Sequence, residues 1–365
     1  MKTTLHQRYD AFYYDFDIWY TRQWRNARAW LAARRMKRDP VFDEAYKKTI
    51  FPYWSQFNIK PRKYWFQNQY MLTKSLDPRC IPRGIWFSDI IPHFNKPFYE
   101  RQLSDKNLHN LTLPGVKRPE TLFKCMDGAY YNDDLSPITW EEALARCGQK
   151  GQYIVKPTKD SFEGFDIHCF DSETDREAVK KLLDGYGKQD YIVQKFVSQH
   201  PDLAALNPSS VNTVRFITVV LNGKAHILSS ILRVGAAGNK VDNVAQGGYQ
   251  CTIRPDGTLE KLAFTHINGQ GTYTEQTASG VRFEGFSVPA WDALRQTALD
   301  LAVKLPFLKL IGWDLAVDEQ GDVVAIEFNA QPEQNESTCG PSFGDLTDDV
   351  LAEVFKKTSD AFSFD

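Results

Sequence analysis

The sequence predicts an α+β protein with a mostly helical N-terminal region. Before about residue 75, aromatic residues recur at helical spacings, which favours amphipathic helices. Later in the chain, β-branched runs are separated by turn residues, which favours antiparallel hairpins. Two further stretches, residues 139–146 and 291–303, have amphipathic helical patterns. We therefore expect a helical region over residues 1–95, followed by two α+β subdomains over residues 96–195 and 196–365.

Composition limits the class of protein. The 365 residues include 44 Lys and Arg against 46 Asp and Glu, a formal net charge of −2. A near-neutral total argues against a general nucleic-acid-binding protein. The six cysteines form no C-x-x-C pair, so we expect reduced thiols in a cytoplasmic protein, with neither zinc nor disulfides. The polar start of the chain predicts no signal peptide, and the lack of a run of ~18 apolar residues predicts no transmembrane segment.

The first predicted helix carries an aromatic stripe followed by a basic stretch. The basic stretch extends from Arg22 to Arg38, and Pro40 is expected to end the helix. We interpret the stripe as a core face with a solvated basic face opposite. Contact with an anionic membrane surface or an acidic polymer is the alternative. The residues of the stripe are Tyr9, Phe12, Tyr13, Phe16, Tyr20 and Trp24.

Two lysines lie at positions where they could bind a ligand. Lys106 follows Ser104 and Asp105, either of which can cap a short helix. A lysine at a helix start opposes the helix dipole. Lys156 lies near the end of a short strand over residues 152–157, and a polar loop over residues 158–164 follows. The tip of such a hairpin can fold over phosphates with its backbone N–H groups. The alternative is that Lys156 only ends a strand.

Two arginines lie within the apolar strands of one predicted hairpin. Residues 211–221 and 225–234 are β runs on either side of Asn222-Gly223, a strong hairpin signal. Arg215 and Arg233 belong to these runs. A buried arginine needs an anionic partner, and a phosphate or carboxylate substrate would supply one. The alternative is that each arginine reaches past the strand edge to water.

The predicted hairpin over residues 311–329 carries three oxygen-bearing side chains. Glu327 and Asn329 are two residues apart and share one face of a strand, and Asp314 comes from the partner strand. A carboxylate inside an apolar run is costly to bury unless it is paired or bound to metal. Two carboxylates and an amide oxygen suit Mg²⁺ together with the phosphates of a nucleotide. A solvated outer face is the alternative.

Taken in order, these motifs resemble the signature of ATP-grasp enzymes. The resemblance rests on Lys106, Lys156-Pro157 with its loop, residues 194–197, Arg215, and Asp314 with Glu327-x-Asn329. It covers residues 100–340 and implies an ATP-grasp fold, in which two α+β subdomains grip ATP between antiparallel sheets. More narrowly, the chain resembles the sugar-transfer-associated ATP-grasp group, which is associated with polysaccharide biosynthesis. The segments that carry this narrower resemblance are 210–215, 232–235, 241–243, 247–248 and 312–314.

The resemblance implies a nucleotide site built from two groups of residues. One group would contact the α- and β-phosphates of ATP and cover them with a flap. The other would hold adenine through a glutamine side chain and the backbone that follows it. The phosphate group comprises Lys106 and Lys156, with Ser161 and Gly164 in the flap. The adenine group comprises Gln194, Lys195, Phe196 and Val197.

The resemblance also implies metal-binding and catalytic residues. The hairpin ligands would bind two Mg²⁺ ions; they are Asp314, Glu327 and Asn329. Arg215 or Arg233 would stabilise the transferred phosphoryl group or an acyl phosphate. Asn243 and the glycine pair at residues 247–248 would lie toward the acceptor.

The chain departs from related ATP-grasp patterns in two places. The flap loop has one glycine, Gly164, with Phe162 and Glu163 where small residues are common. Gly312 stands two residues before Asp314, where many ATP-grasp ligases have a substrate-handling arginine. We expect that function to come from Arg215 or Arg233, or to be missing.

The activity implied by the resemblance is that of an ATP-dependent carboxylate–amine ligase. ATP would phosphorylate a carboxylate, and an amine would attack the acyl phosphate to give an amide, ADP and phosphate. The substrate would be a small molecule or glycan precursor with a carboxylate, together with an amine co-substrate. Two alternatives stay open: a kinase acting on a sugar or polyol hydroxyl, and a non-catalytic nucleotide-binding scaffold.

Overall fold

The computed structural model describes residues 5–159, 166–240, 242, 244–267 and 270–356. The chain divides into two compact units. Residues up to Tyr99 and residues from Gln331 onward form the first unit, and Glu100–Ala330 forms the second. The sequence-based division had instead assigned the segment after residue 330 to the last subdomain.

The described helices are short apart from α1, which has 29 residues. Their bounds are α1 Leu5–Ala33, α2 Pro40–Ala45, α3 Phe51–Ser55, α4 Lys63–Thr73, α5 Arg83–Ile85, α6 Ile91–Phe94, α7 Pro97–Leu103, α8 His109–Thr112, α9 Trp140–Arg146, α10 Arg176–Asp184, α11 Pro201–Leu206, α12 Trp291–Lys304, α13 Glu336–Cys339 and α14 Thr347–Val354. A π-helical turn joins α2 to α3 and another joins α5 to α6. Pro40 begins α2 behind the capping residue Asp39, so the expectation that it directly ends the first helix is wrong, because α1 stops earlier.

The strands of the second unit form two antiparallel sheets. The first has the order β3-β2-β1-β6-β4-β5, and the second has the order β11-β10-β9-β8-β7-β12-β13. The strand bounds are β1 Thr121–Met126, β2 Ala129–Tyr131, β3 Pro137–Ile138, β4 Gln152–Pro157, β5 His168–Asp171, β6 Tyr191–Lys195, β7 Thr213–Leu221, β8 Lys224–Val234, β9 Tyr249–Ile253, β10 Leu259–Ile267, β11 Gln270–Thr274, β12 Leu310–Val317 and β13 Val323–Asn329.

The two predicted hairpins of the second sheet are confirmed. Asn222 and Gly223 join β7 to β8 with φ angles of 50° and 76°, the left-handed conformations that a tight two-residue turn requires. Gly321, with a φ of 86°, lies in the turn between β12 and β13. Within the second hairpin the register pairs Asp314 with Glu327. The separate pairing of β12 with β7, which no hairpin turn joins, places Asp314 opposite Arg215.

Side-chain alternation gives the second sheet an apolar face and a charged face. Val214, Phe216 and Trp313 belong to the buried core on which α12 packs. Arg215 and Asp314 alternate with these residues and therefore lie on the opposite face. The first sheet is divided in the same way, because Val155 belongs to its core while Lys156 next to it does not. Both sheets thus present polar side chains on the face away from their cores.

The aromatic stripe of α1 is exposed, so its interpretation as a core face is wrong for the side chains that the structure describes. Phe12 is 66% exposed, Phe16 51%, Tyr20 57% and Trp24 42%. Among the α1 side chains that the structure describes, the buried ones are small, namely Ala29 and Ala33. Within the described ranges, no helix is long and apolar enough to cross a membrane.

Buried polar contacts attach the C-terminal segment to the N-terminal helices. The carboxylate of Glu336 accepts hydrogen bonds from the backbone N–H of Ile81 at 3.0 Å and from the side chain of Gln69, 267 positions earlier in the chain. The indole Nε1 of Trp86 donates to the carbonyl of Pro332 at 2.8 Å. These contacts explain why residues after 330 belong to the first unit.

Candidate functional site

A cleft in the Glu100–Ala330 unit is lined by residues of both sheets. Its lining combines apolar side chains with an unusual number of charged and polar ones. The apolar residues are Pro119, Ile154, Ile167, Phe196, Val197, Val211 and Ile326. The polar residues are Lys156, Gln194, Lys195, Thr213, Arg233, Lys240, Asp242, Asp314 and Glu327. Such a lining suits a ligand with a flat apolar part and a charged part.

Asp314 lies at the centre of a buried ion-pair network. Its carboxylate accepts from Nε of Arg215 at 2.5 Å and from the terminal nitrogen Nη2 at 2.6 Å, a bidentate pair. Nη1 of Arg233 lies 3.3 Å from both carboxylate oxygens. The Asp314 side chain is 4% exposed, so its charge depends on these partners. The sequence predicted an anionic partner for both arginines, and Asp314 is that partner within the protein.

Arg233 also joins a second acid, Asp242. Its Nη2 lies 3.3 Å from Oδ1 of Asp242, and the hydroxyl of Thr213 donates to Oδ2. Burial would lower the pKa of Arg233, but Asp242 and Asp314 together raise it above its ordinary value. Burial raises the pKa of Asp242, and Arg233 only partly opposes this. Arg233 is therefore a permanent cation at the cleft wall.

Glu327 lies directly opposite Asp314 across the β12–β13 pair. Nζ of Lys106 is 3.6 Å from its Oε2. Burial alone would raise the pKa of Glu327, but Lys106, Lys156 and the two arginines hold it well below its usual range. Glu327 is therefore ionised at any physiological pH.

Lys156 is almost fully buried, with 5% of its surface exposed. Burial lowers its pKa to about 8; Glu327 opposes the shift and Lys106 adds to it. The cluster contains four basic side chains and three acidic ones. The basic side chains are Lys106, Lys156, Arg215 and Arg233, and the acidic ones are Asp242, Asp314 and Glu327. The cluster thus has an excess of positive charge that an anionic ligand would neutralise.

Backbone contacts hold the two lysines in the same region. The N–H of Lys106 donates to the carbonyl of Thr158, two residues after Lys156, at 3.2 Å. Asp105 caps the short 3₁₀ turn that begins at Lys106, as predicted. Nζ of the fully buried Lys124 donates to the carbonyl of Asn107 at 2.7 Å and so anchors this turn to β1. The sequence did not indicate this anchor.

The hairpin ligands have donor chemistry that fits Mg²⁺. Carboxylate and amide oxygens are the ligands that this ion prefers. Both oxygens of Asp314 already accept from guanidinium groups, whereas the side chain of Glu327 is 26% exposed. Glu327 and Asn329, two residues apart on β13, are therefore the more accessible donors. Among the described residues, no three His, Cys, Asp or Glu side chains form a metal-binding group, so the amide of Asn329 is needed to complete a set.

The segment predicted to hold adenine lines the cleft at the end of β6. Nε2 of Gln194 donates to the hydroxyl of Thr121 at 3.3 Å. The N–H groups of Lys195 and Phe196 donate to the carbonyls of Glu120 and Gln152 at 2.8 and 2.7 Å. These two N–H groups are therefore engaged within the protein.

The family model described as sugar-transfer associated ATP-grasp matches residues 89–338. The chain belongs to this ATP-grasp family. The predicted family is thereby confirmed, and with it the ATP-grasp fold class, since the structure has the expected pair of antiparallel sheets.

Three solved structures match part of this chain at low sequence identity. The ATP-grasp ligase PsnB, complexed with minimal precursor, is 16% identical with a TM-score of 0.39, over 71% of this chain and 64% of that chain. The L-amino acid ligase from Bacillus licheniformis is 13% identical with a TM-score of 0.39, over 70% and 48%. The D-cycloserine synthetase DcsG is 14% identical with a TM-score of 0.43, over 72% and 73%. The chain thus spans less than two thirds of the length of the first two, and no curated protein matches its sequence.

Some residues of this ATP-grasp cleft were not singled out from the sequence. Thr213 is two residues from Arg215 on β7, so strand alternation alone places it on the same face. Asp242 belongs to the segment that carried the family resemblance, but the role was assigned to its neighbour Asn243. Lys240 lies in a glycine-rich loop that gives no local signal. The predicted residues Ser161, Gly164 and Asn243 lie outside the described residues.

His109 is a further residue that the sequence did not indicate. Its ring stacks on Phe328, with centroids 5.1 Å apart, and its Nε2 has no hydrogen-bond partner among the described residues. Burial, Lys156 and Lys106 lower its pKa well below the ordinary value, so the ring is neutral. A neutral ring packed beside the lysines adds no charge to the cationic cluster.

Proposed function

We propose that this ATP-grasp protein is an ATP-dependent carboxylate–amine ligase that acts through an acyl phosphate. The observation that carries the proposal is the cationic cluster of Lys106, Lys156 and Arg233 at the cleft, beside the ionised Glu327. The cluster suits a polyphosphate, and the apolar part of the lining suits a nucleobase. Family membership supports ATP as the nucleotide.

The proposed reaction has two steps. A carboxylate oxygen of the substrate attacks the γ-phosphorus of ATP, the bond to the β,γ-bridging oxygen breaks, and ADP leaves. The nitrogen of the amine then attacks the acyl carbon of the acyl phosphate. Inorganic phosphate leaves, the nitrogen loses a proton, and an amide forms. No covalent bond to the protein is needed, so its contribution is positioning and charge stabilisation.

The proposal assigns roles to the predicted site residues. Lys106 and Lys156 bind the α- and β-phosphates, and Arg233 stabilises the phosphoryl group in transfer. Arg215 orients Asp314 through its bidentate pair. Glu327 and Asn329, with Asp314, would hold Mg²⁺, which would neutralise phosphate charge when bound. Ser161, Gly164 and Asn243 keep the flap and acceptor roles that the resemblance implies.

The proposed substrate is a sugar or amino acid with a carboxylate that belongs to a cell-surface glycan precursor, and the co-substrate is an amine. This choice rests on the description of the family as sugar-transfer associated. We keep the cytoplasm as the expected location because the proposed reaction consumes ATP.

Isotope transfer tests the proposed chemistry directly. The protein is incubated with ATP, an amine and a panel of uronic and amino acids labelled with ¹⁸O in the carboxylate. An acyl-phosphate ligase transfers one ¹⁸O atom to the inorganic phosphate, because the attacking carboxylate oxygen stays bonded to phosphorus. Mass spectrometry of the phosphate measures the transfer, and the Lys156→Met variant is expected to lose it.

The same experiment distinguishes the alternatives. A phosphorylated acceptor without free phosphate would mean direct transfer to a hydroxyl, and the protein would be a kinase. ATP binding without turnover of any acceptor in the panel would support the scaffold alternative. Unlabelled phosphate released with amide formation would contradict the acyl-phosphate route.

A further inference from the structure

We propose that the exposed face of α1 docks onto a membrane surface that contains anionic lipids. The inference concerns the first unit alone and is independent of the proposed reaction. It rests on a continuous aromatic stripe, on the local charge next to it, and on the way in which the opposite face of α1 is held.

The stripe is continuous along one side of α1. At about 100° per residue, six aromatic side chains fall within an arc of about 140°, over about 27 Å of helix. Their exposure ranges from 42% for Trp24 to 66% for Phe12. The six residues are Phe12, Phe16, Trp19, Tyr20, Trp24 and Trp30. Isolated exposed apolar residues are ordinary, but a patch of this extent marks an interaction surface.

The opposite side of α1 is held by the first unit. Nη2 of Arg22 lies 2.5 Å from a carboxylate oxygen of Asp89. Ala29 is buried on this side. At the edge of the stripe, next to the position of Trp19, Nε1 of Trp65 donates to the side-chain oxygen of Asn26 at 2.7 Å. Because these contacts fix the rotation of the helix, the aromatic stripe faces away from the unit. The exposure of the stripe is therefore a property of the fold.

Positive charge is concentrated at the C-terminal half of the stripe. Residues 21–38 include seven basic residues and no acidic one, although the whole chain has a net charge of −2. Six of the seven are exposed, and one of these, Arg22, is bound to Asp89. The other five exposed residues are Arg28, Arg34, Arg35, Lys37 and Arg38. The guanidinium of Arg28 lies 4.6 Å from the ring centre of Trp24, and that of Arg34 lies 4.6 Å from the ring centre of Trp30.

This combination fits the interface of an anionic bilayer better than it fits the same face of a second copy of the chain. Tryptophan rings favour the level of the lipid headgroups, and arginines beside them can contact the lipid phosphates. A second copy of the chain packed antiparallel would offer only the three acids in the sequence of α1 to the five exposed cations that remain when Arg22 is set aside. Those acids are Asp10, Asp15 and Asp17. Most of the positive charge would then stay unpaired.

Vesicle flotation of the full-length protein tests the proposal. The vesicles are phosphatidylcholine alone, or phosphatidylcholine with 30 mol% phosphatidylglycerol. The wild-type protein is expected to float with the anionic vesicles and to remain in solution with the neutral ones. Raising the salt from 0.1 to 0.5 M is expected to weaken binding, because the headgroup attraction is screened.

Two variants with matched controls separate the aromatic and the electrostatic contributions. The first variant replaces three tryptophans of the stripe by serine: Trp19→Ser, Trp24→Ser and Trp30→Ser. Its affinity for the anionic vesicles is expected to be about tenfold lower or more. The second variant combines Arg34→Glu and Arg35→Glu, and its vesicle affinity is expected to fall by a similar factor. One control is Phe98→Ser, which removes an aromatic side chain that is 66% exposed outside α1. The other is Lys47→Glu with Lys48→Glu, which makes the same charge change at two exposed lysines in the π-helical turn between α2 and α3. The controls are expected to bind as the wild type does.

Three results would overturn the proposal. The first is no binding of the wild-type protein to anionic vesicles. The second is equal loss of binding in the α1 variants and in the controls, with unchanged melting temperatures. The third is a wild-type dimer in light scattering that becomes a monomer in the tryptophan variant and does not bind vesicles. In that case the face would belong to an interface between two copies.

Discussion

At the scale of single residues, the site is organised by charge balance across neighbouring strands. The residue types of the 311–329 hairpin predicted a site for a cation, and the structure adds two arginines bound to one of its ligands. Arg215 and Asp314 are 99 positions apart in the chain, so their pairing depends on which strands become neighbours. Periodicity identifies a shared face but cannot identify the adjacent strand. For this reason the sequence indicated both residues and missed their contact.

Lys156 gives the site a specific pH dependence. Its pKa of about 8 without ligand means that part of the population loses the charge as the pH rises through 8. Bound phosphates favour the protonated form, so binding takes up a proton above this pH. We predict that the affinity for ATP is constant near pH 7 and falls by up to about tenfold per pH unit above pH 8. Calorimetric titration between pH 6.5 and 9.5 measures the affinity for ATP at each pH.

The variant Lys156→Arg is the control for this prediction. A guanidinium keeps its charge throughout this range, so the affinity of the variant is expected to stay level above pH 8. An equally steep decline in both proteins would assign the dependence to another group and contradict the role of Lys156.

At the scale of elements, sequence motifs within a single helix or turn predicted the structure correctly, whereas contacts between elements distant in the chain could not be predicted. The helix predicted over residues 291–303 is α12, and the capping box at Thr139 with Glu142 is present. The turns at Asn222-Gly223 and Gly321 are also present, because asparagine and glycine adopt a positive φ at a lower cost than other residues do. The anchoring of the Lys106 turn by Lys124 has no local signature and required the structure.

One turn is expected to be unusually sensitive to a single methyl group. Gly257 has a φ of +88°, and a Cβ atom there would lie 2.6 Å from Cγ of Trp291. The Trp291 ring stacks on Phe216 at 5.6 Å, which leaves it little room to move. We predict that Gly257→Ala lowers the free energy of unfolding by about 2–4 kcal/mol, from backbone strain and overpacking. Thermal and denaturant unfolding measure it.

Gly223→Ala separates the two contributions. Gly223 has a φ of +76° but no atom within 4 Å of an added Cβ. This variant is expected to lose only about 1 kcal/mol, from backbone strain alone. Equal losses at the two positions would show that the contact with Trp291 has no energetic effect.

At the scale of the whole molecule, the sequence indicated the family and the sheets but not the division into units. The matched region contains motifs in a fixed order, and that order is readable from a single sequence. The stripe of α1 was wrongly interpreted as a core face. A periodic pattern shows that aromatic residues share one face of a helix, but it does not show whether that face packs against the rest of the protein. The attachment of the C-terminal segment was missed because its contacts, such as Gln69 with Glu336, join opposite ends of the chain.

Glu336 makes this attachment dependent on pH. Burial raises its pKa to about 7, although Ile81, Ser342 and Gln69 donate to it. A carboxyl with a folded pKa above its unfolded value destabilises the folded state when ionised. We therefore predict that its contribution to stability improves as the pH falls from about 7 toward 4.5, by on the order of 2–3 kcal/mol.

Comparison with Glu336→Gln isolates this contribution. The variant cannot ionise, and the Gln69 amide can turn to accept from the new amide, so the variant is expected to gain stability relative to the wild type above pH 7. The difference in melting temperature between the two proteins should shrink below pH 5. The exposed Glu333→Gln is the control and is expected to show no such trend. If the difference in melting temperature between Glu336→Gln and the wild type does not change with pH, the raised pKa of Glu336 is contradicted.

The most direct test of the account is calorimetric titration with a non-hydrolysable ATP analogue, with and without Mg²⁺. We predict tight, Mg²⁺-dependent binding to the wild-type protein and to the control Glu319→Gln. Glu327→Gln should keep the same melting temperature but lose the effect of Mg²⁺, because it removes the accessible carboxylate of the hairpin. No nucleotide binding by the wild-type protein, or an unchanged Mg²⁺ effect in Glu327→Gln, would contradict the proposed site.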